Sequence, residues 1–144
     1  MNSTEDIFSI LLWFAGMGHF CILGASFQVP YRLNWKEDLA KLTPFNRKLM
    51  WVYGAFTVMM IASFGGLTLV FHDELLRGDR VALGLASLIG LFWTVRLLVD
   101  FFVFSHADWP RGAAFVVGHI LLTIAFSSFS LTYLGLVIWH LWFR

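Results

Sequence analysis

The chain has 144 residues, 59% of them hydrophobic and only 13% charged, with a formal net charge of +1 and a mean hydropathy of +0.76. A water-soluble domain is typically about half apolar and about a quarter charged, so this composition excludes an ordinary soluble core and makes a lipid bilayer the expected solvent. The near-neutral balance without a basic tract leaves nucleic acid nothing to bind, and the lone cysteine, Cys21, excludes an intrachain disulfide.

The N-terminal stretch MNSTEDIFSILLWF carries Glu5 and Asp6 where a signal peptide would be basic. It reads as the entry to a retained helix, capped by Ser3 or Thr4, with the two acids at the positive end of the helix dipole. Four apolar stretches follow, approximately 7–29, 49–71, 81–104 and 112–142. Each is long enough to cross a hydrocarbon core, and in lipid each must be a helix, because every backbone group has to be satisfied within its own segment. The first is expected to stop at Pro30. Residues 34–42 place Trp35, Leu39 and Leu42 at helical spacing, with Asn34 and Glu37 as a capping box, and predict a short interfacial helix. Thr43-Pro44 opens the second span, Gly78 closes a helix and Asp79 caps the third, and Asp108, Trp109 and Pro110 reopen the chain into the fourth.

Short connections predict a single all-α domain, an integral membrane up-down four-helix bundle. Small residues are expected where helices approach: Cys21 and Ala25, then Ala62, Gly65 and Gly66, then Ala86 and Gly90, then Ala114 and Gly118. Arg32, Lys36, Lys41, Arg47 and Lys48 in the first connection, and Arg111 in the third, place these loops in the cytoplasm and both termini on the non-cytoplasmic side.

Ionisable residues interrupt the apolar runs. Arg96 and Asp100 stand four apart on the third span and share a face. At about 1.5 Å per residue they lie roughly 12 and 6 Å from its inner end, with His119 roughly 10 Å and His19 roughly 15 Å into the fourth and first spans. Unpaired, each charge would cost a few kcal/mol at such depth, so Arg96 and Asp100 are expected to pair and to face His19 and His119. A polar seam of Thr123, Ser127, Ser128, Ser130 and Thr132 would lead outward from His119, and His106 would extend the inner end. An Arg–Asp pair can also serve only to lock helix packing, and a membrane histidine only to bond a neighbouring helix.

Several chemistries fit these residues. In the first reading, His19 and His119 are axial ligands of a b-type haem with Arg96 on a propionate, and quinone is a natural partner. Four helices with histidines on the first and last resemble small membrane haem proteins in outline, though the lysine and asparagine–acid motifs of the four-helix protoporphyrinogen oxidases are absent. In the second, Arg96 and Asp100 are catalytic, and His19, His119, Asp100 and His106 hold zinc or iron or do acid–base work on a lipophilic substrate. In the third, the chain is a small subunit or assembly factor of a larger membrane complex, or a homo-oligomer. A further metal site of His72, His140 and a carboxylate is conceivable at the outer end. HExxH, cysteine-based metal, phosphate-loop and GxSxG patterns are absent.

Overall fold

The computed structural model describes residues 3–104 and 112–143. Among these the chain is all-helical, and four helices are long and apolar enough to cross a membrane. In chain order the elements are α1 (Ser3–Ser26), α2 (Val29–Arg32), α3 (Trp35–Ala40), α4 (Pro44–Val70), α5 (His72–Arg77), α6 (Arg80–Phe102) and α7 (Ala113–Trp142).

Local chemistry explains most boundaries. Pro30 lies in the first turn of α2, where its missing N–H is not needed. The first helix has already ended at Ser26, and α2 continues the path after a two-residue turn. Thr43 caps α4 through its side chain, which accepts the Asn46 N–H at 3.5 Å. Gly78 closes the short α5 with φ +76°, a left-handed conformation in which glycine carries no Cβ penalty. Two expected caps are not made by side chains. Asp79 forms no cap hydrogen bond, and Asn34 itself turns left-handed (φ 52°), so no Asn34–Glu37 capping box forms. The expected opening at Asp108–Pro110 lies outside the described residues.

Each long helix buries one stripe and turns apolar side chains outward elsewhere. Leu12, Ala15, Gly16, His19 and Leu23 are buried on α1, and Ala82, Ala86, Ile89, Gly90 and Trp93 on α6. Both sets follow the spacing of three and four that keeps side chains on one helical face. Outward-facing residues such as Phe14, Val81 and Leu131 are more than 70% exposed. Contacts run antiparallel in three helix pairs. Ser9 meets His72 at the start of α5 while Gly65 of α4 meets Gly16 and His19. Phe8 at the start of α1 stacks on Trp139 near the end of α7 at 5.3 Å. Thr94 meets Ser130 while Asp100 meets His119 across α6 and α7.

The tightest approach is between α1 and α4. A Cβ at Gly65 would lie 3.0 Å from the His19 Cβ and 3.1 Å from the Gly16 carbonyl oxygen, so only glycine fits without a shift. Gly65, Ala86 and Gly90 therefore fall at interfaces as expected, but Cys21 is exposed and Gly66 and Gly118 face open space. On α1 the contact is made by Ala15 and Gly16 instead.

Candidate functional site

The polar residues fall into two layers separated by aromatic rings. The deeper layer is built around His19, which is fully buried. Its Nδ1 lies 2.6 Å from the Ala15 carbonyl one turn back, and its Nε2 lies 3.0 Å from the Trp93 indole nitrogen. An indole N–H only donates. Nε2 is therefore the acceptor and Nδ1 carries the proton given to Ala15, which fixes the neutral tautomer. The imidazole also stacks on Phe129, with centroids 4.3 Å apart and planes within 9°. Nearby, the Tyr133 hydroxyl and Thr68 Oγ1 are 2.6 Å apart and fully buried, and Thr68 donates to the Phe64 carbonyl. This hub joins α1, α4, α6 and α7 and leaves none of these named polar groups unsatisfied, as a buried network requires.

The second layer lies between the end of α6 and the start of α7. Arg96 Nη1 is 3.6 Å from Asp100 Oδ1, and His119 Nδ1 is 3.5 Å from Asp100 Oδ2. Asp100 is the protected member, with a side chain 9% exposed, against 39% for Arg96 and 27% for His119. Spacing i, i+4 on α6 aims Arg96 and Asp100 at α7, and the antiparallel register brings His119 to the second of them. The Arg96 guanidinium carbon lies 5.4 Å from the centre of the Phe126 ring and 5.9 Å from that of Phe104, within cation–π range. Phe126 in turn stacks on Trp93 at 4.6 Å. One continuous path of contacts thus runs His19–Trp93–Phe126–Arg96–Asp100–His119.

The structure therefore joins Arg96, Asp100 and His119, and it separates His19 from them by the Trp93–Phe126 layer. A metal or haem iron on His19 would have to displace the Trp93 N–H from Nε2, so the donor set does not fit an axial ligand in this conformation. Among the described residues no group of three or more His, Cys, Asp or Glu side chains is placed to hold a metal ion. Of the expected cluster of His19, His119, Asp100 and His106, His19 is bonded to Ala15 and Trp93, and His106 lies outside the described residues. The outer set of His72 and His140 is likewise not assembled. The polar seam is partial. Ser130 bonds Thr94 at 2.5 Å and is buried, whereas Ser128 is exposed and bonds back to its own helix at Ile124.

A third cluster escapes sequence reasoning because its partners are 63 residues apart. His72 Nε2 lies 3.3 Å from Ser9 Oγ and 3.2 Å from the Ser9 carbonyl, and Nδ1 lies 3.2 Å from Asp73. The order serine–histidine–aspartate is that of a nucleophile, base and orienting acid. However, Ser9 is in the interior of α1, where backbone N–H groups are spent on the helix and none is offered to an oxyanion. The imidazole, packed against Trp13 at 5.0 Å, ties α5 to α1.

The described residues form four long apolar helices with a charged cluster inside them. No family model matches it, and no solved structure does. It is similar to the uncharacterized protein YdbL of Bacillus subtilis (strain 168), 26% identical over 96 residues, a match covering 57% of this chain and 86% of that protein. That name transfers no activity.

Proposed function

We propose that this chain is an integral membrane protein, an up-down four-helix bundle, which does acid–base work on a lipophilic molecule at the Arg96–Asp100–His119 cluster. The observation that supports it is a carboxylate, 9% exposed, held between a fixed cation at 3.6 Å and an imidazole at 3.5 Å. A guanidinium is always charged, so Arg96 sets a fixed positive charge beside Asp100, and the other carboxylate oxygen of Asp100 orients His119. An imidazole is the side chain suited to gaining and losing a proton near neutral pH. Arg96 and His119 each keep part of their side chain at the helix surface. A molecule dissolved in the bilayer therefore reaches them without entering the aromatic hub. In this reading the basic first connection faces the cytoplasm, which puts both termini on the other side.

Histidine 15N NMR of the protein in lipid nanodiscs tests the reading. Replacing Asp100 with Asn removes the carboxylate that faces His119 Nδ1 at 3.5 Å, so the ring-nitrogen signals of His119 should change. Superimposable spectra would mean that the two groups do not communicate. An absorption spectrum of the same sample separates the haem reading, which requires a Soret band.

A further inference from the structure

We propose that the cluster recognises an amphiphile through a single carboxylate headgroup, bound by Arg96 and Thr123. This rests on the acid–base reading above and names the class of molecule involved.

Arg96 Nη1 is buried and makes no hydrogen bond. Its nearest carboxylate oxygen is 3.6 Å away, beyond the 2.7–3.2 Å of an N–H···O bond. Thr123 Oγ1 is buried without a partner as well. Thr123 stands one turn from His119 and three residues before Phe126, so it lies on the α7 face that meets Arg96. Two donors beside Asp100 and His119 thus lack acceptors. Leaving a cationic N–H in that condition is costly, and acceptors are expected wherever such groups persist.

The geometry selects the acceptor. The guanidinium carbon lies over the Phe126 and Phe104 rings, which offer no acceptor oxygen, and the N–H fork of a guanidinium matches a carboxylate. The charge balance selects it too. Arg96 and Asp100 balance one another, so one further negative charge is matched only when His119 carries a proton. A monoanionic headgroup meets that condition, and its apolar tail would lie along the exposed face of α6 and α7, where Val95, Val116 and Ile120 are about half exposed.

The test uses the full-length protein in a maltoside detergent, titrated with palmitate, hexadecanol or phosphatidylglycerol and followed by tryptophan fluorescence. Palmitate should bind at least about tenfold more tightly than hexadecanol, the factor expected of one charge-assisted hydrogen bond. Arg96→Gln should abolish that preference. Thr123→Val, nearly isosteric and therefore safe for folding, should reduce it several-fold, while Ser128→Ala on the exposed face should leave it intact. Equal binding of palmitate and hexadecanol would overturn the proposal, and so would a preference that survives both Arg96→Gln and Thr123→Val. Tighter binding of phosphatidylglycerol would overturn the carboxylate assignment. If His119 responds to Asp100→Asn while palmitate shows no preference, the headgroup inference fails and the acid–base reading stands.

Discussion

Replacing Trp93 with Phe removes one N–H from the centre of the molecule and leaves the His19 Nε2 lone pair buried with no donor. The hydrogen bond is 3.0 Å long, and its partners are 0% and 1% exposed, so water cannot substitute. A buried group left unsatisfied costs about 1–3 kcal/mol, and the smaller ring also loses part of its stack on Phe126. Replacing His19 with Phe instead strands the Trp93 N–H but leaves Ala15 satisfied, because its carbonyl still accepts the backbone N–H of residue 19. Each single change should therefore destabilise by about 2 kcal/mol. The double change removes donor and acceptor together and should destabilise by clearly less than the sum. Interhelical hydrogen bonds in membrane proteins average about 0.6 kcal/mol by such cycles, with a maximum near 1.7. This bond is dry on both sides, so a coupling of about 1–1.5 kcal/mol is expected, near the top of that range. Reversible unfolding in mixed dodecyl sulfate–maltoside micelles, followed by far-UV circular dichroism, measures all four corners of the cycle. Additivity within about 0.3 kcal/mol would refute the idea that the two groups satisfy one another.

Adjacent glycines should respond in opposite directions. Gly65→Ala forces a methyl against Gly16 and His19 and should destabilise by about 1–3 kcal/mol. Gly66→Ala meets nothing within 4 Å and should stabilise by about 0.5–1 kcal/mol through helix propensity alone, both read by thermal unfolding in detergent. Tyr133→Phe strands no donor, since Thr68 still bonds the Phe64 carbonyl, so its cost should stay near 1 kcal/mol in the same assay. At the surface, the hydrogen bond and charge of Asp38, 2.7 Å away, hold the Lys41 amine above its ordinary range. A raised lysine stabilises fully below the unfolded value of about 10.5 and loses that contribution as pH rises through the folded one. Asp38→Asn should therefore shift the Lys41 titration downward by NMR and leave neutral-pH stability unchanged, because an exposed pair contributes little.

Long apolar runs made the four large helices legible, and i, i+4 spacing made the Arg96–Asp100 pair legible. Their closeness to His119 followed from similar depth on neighbouring antiparallel helices. Other features depended on information that spacing does not carry. The α5 helix at His72–Arg77 is six residues long and has no apolar period to reveal it. Pro30 looked like a terminator for α1 yet lies inside the next turn of helix. The partner of His19 was hidden because depth gives no rotation. An imidazole at the right height faced Trp93 and Phe129, and nothing local marks one tryptophan among seven as its donor. The Asn34 cap failed because its backbone turns left-handed, and the Asp79 carboxylate accepts from Arg77 instead of capping α6.

The His19 hub also bears on the order in which the molecule can be completed during synthesis. Its imidazole comes from α1, the first helix made, while its stacking partner Phe129 comes from α7, the last. The α1–α4 hairpin, with Gly65 seated on Gly16, can close early, but it then presents an unstacked imidazole lacking the indole donor from α6. A chain stalled before α6 thus keeps a raw polar edge at His19. By the same logic, a nick in the turn at Gly78–Asp79 would leave two helical hairpins with matching halves of one hub. Co-expressed as separate polypeptides, they should find each other and restore it.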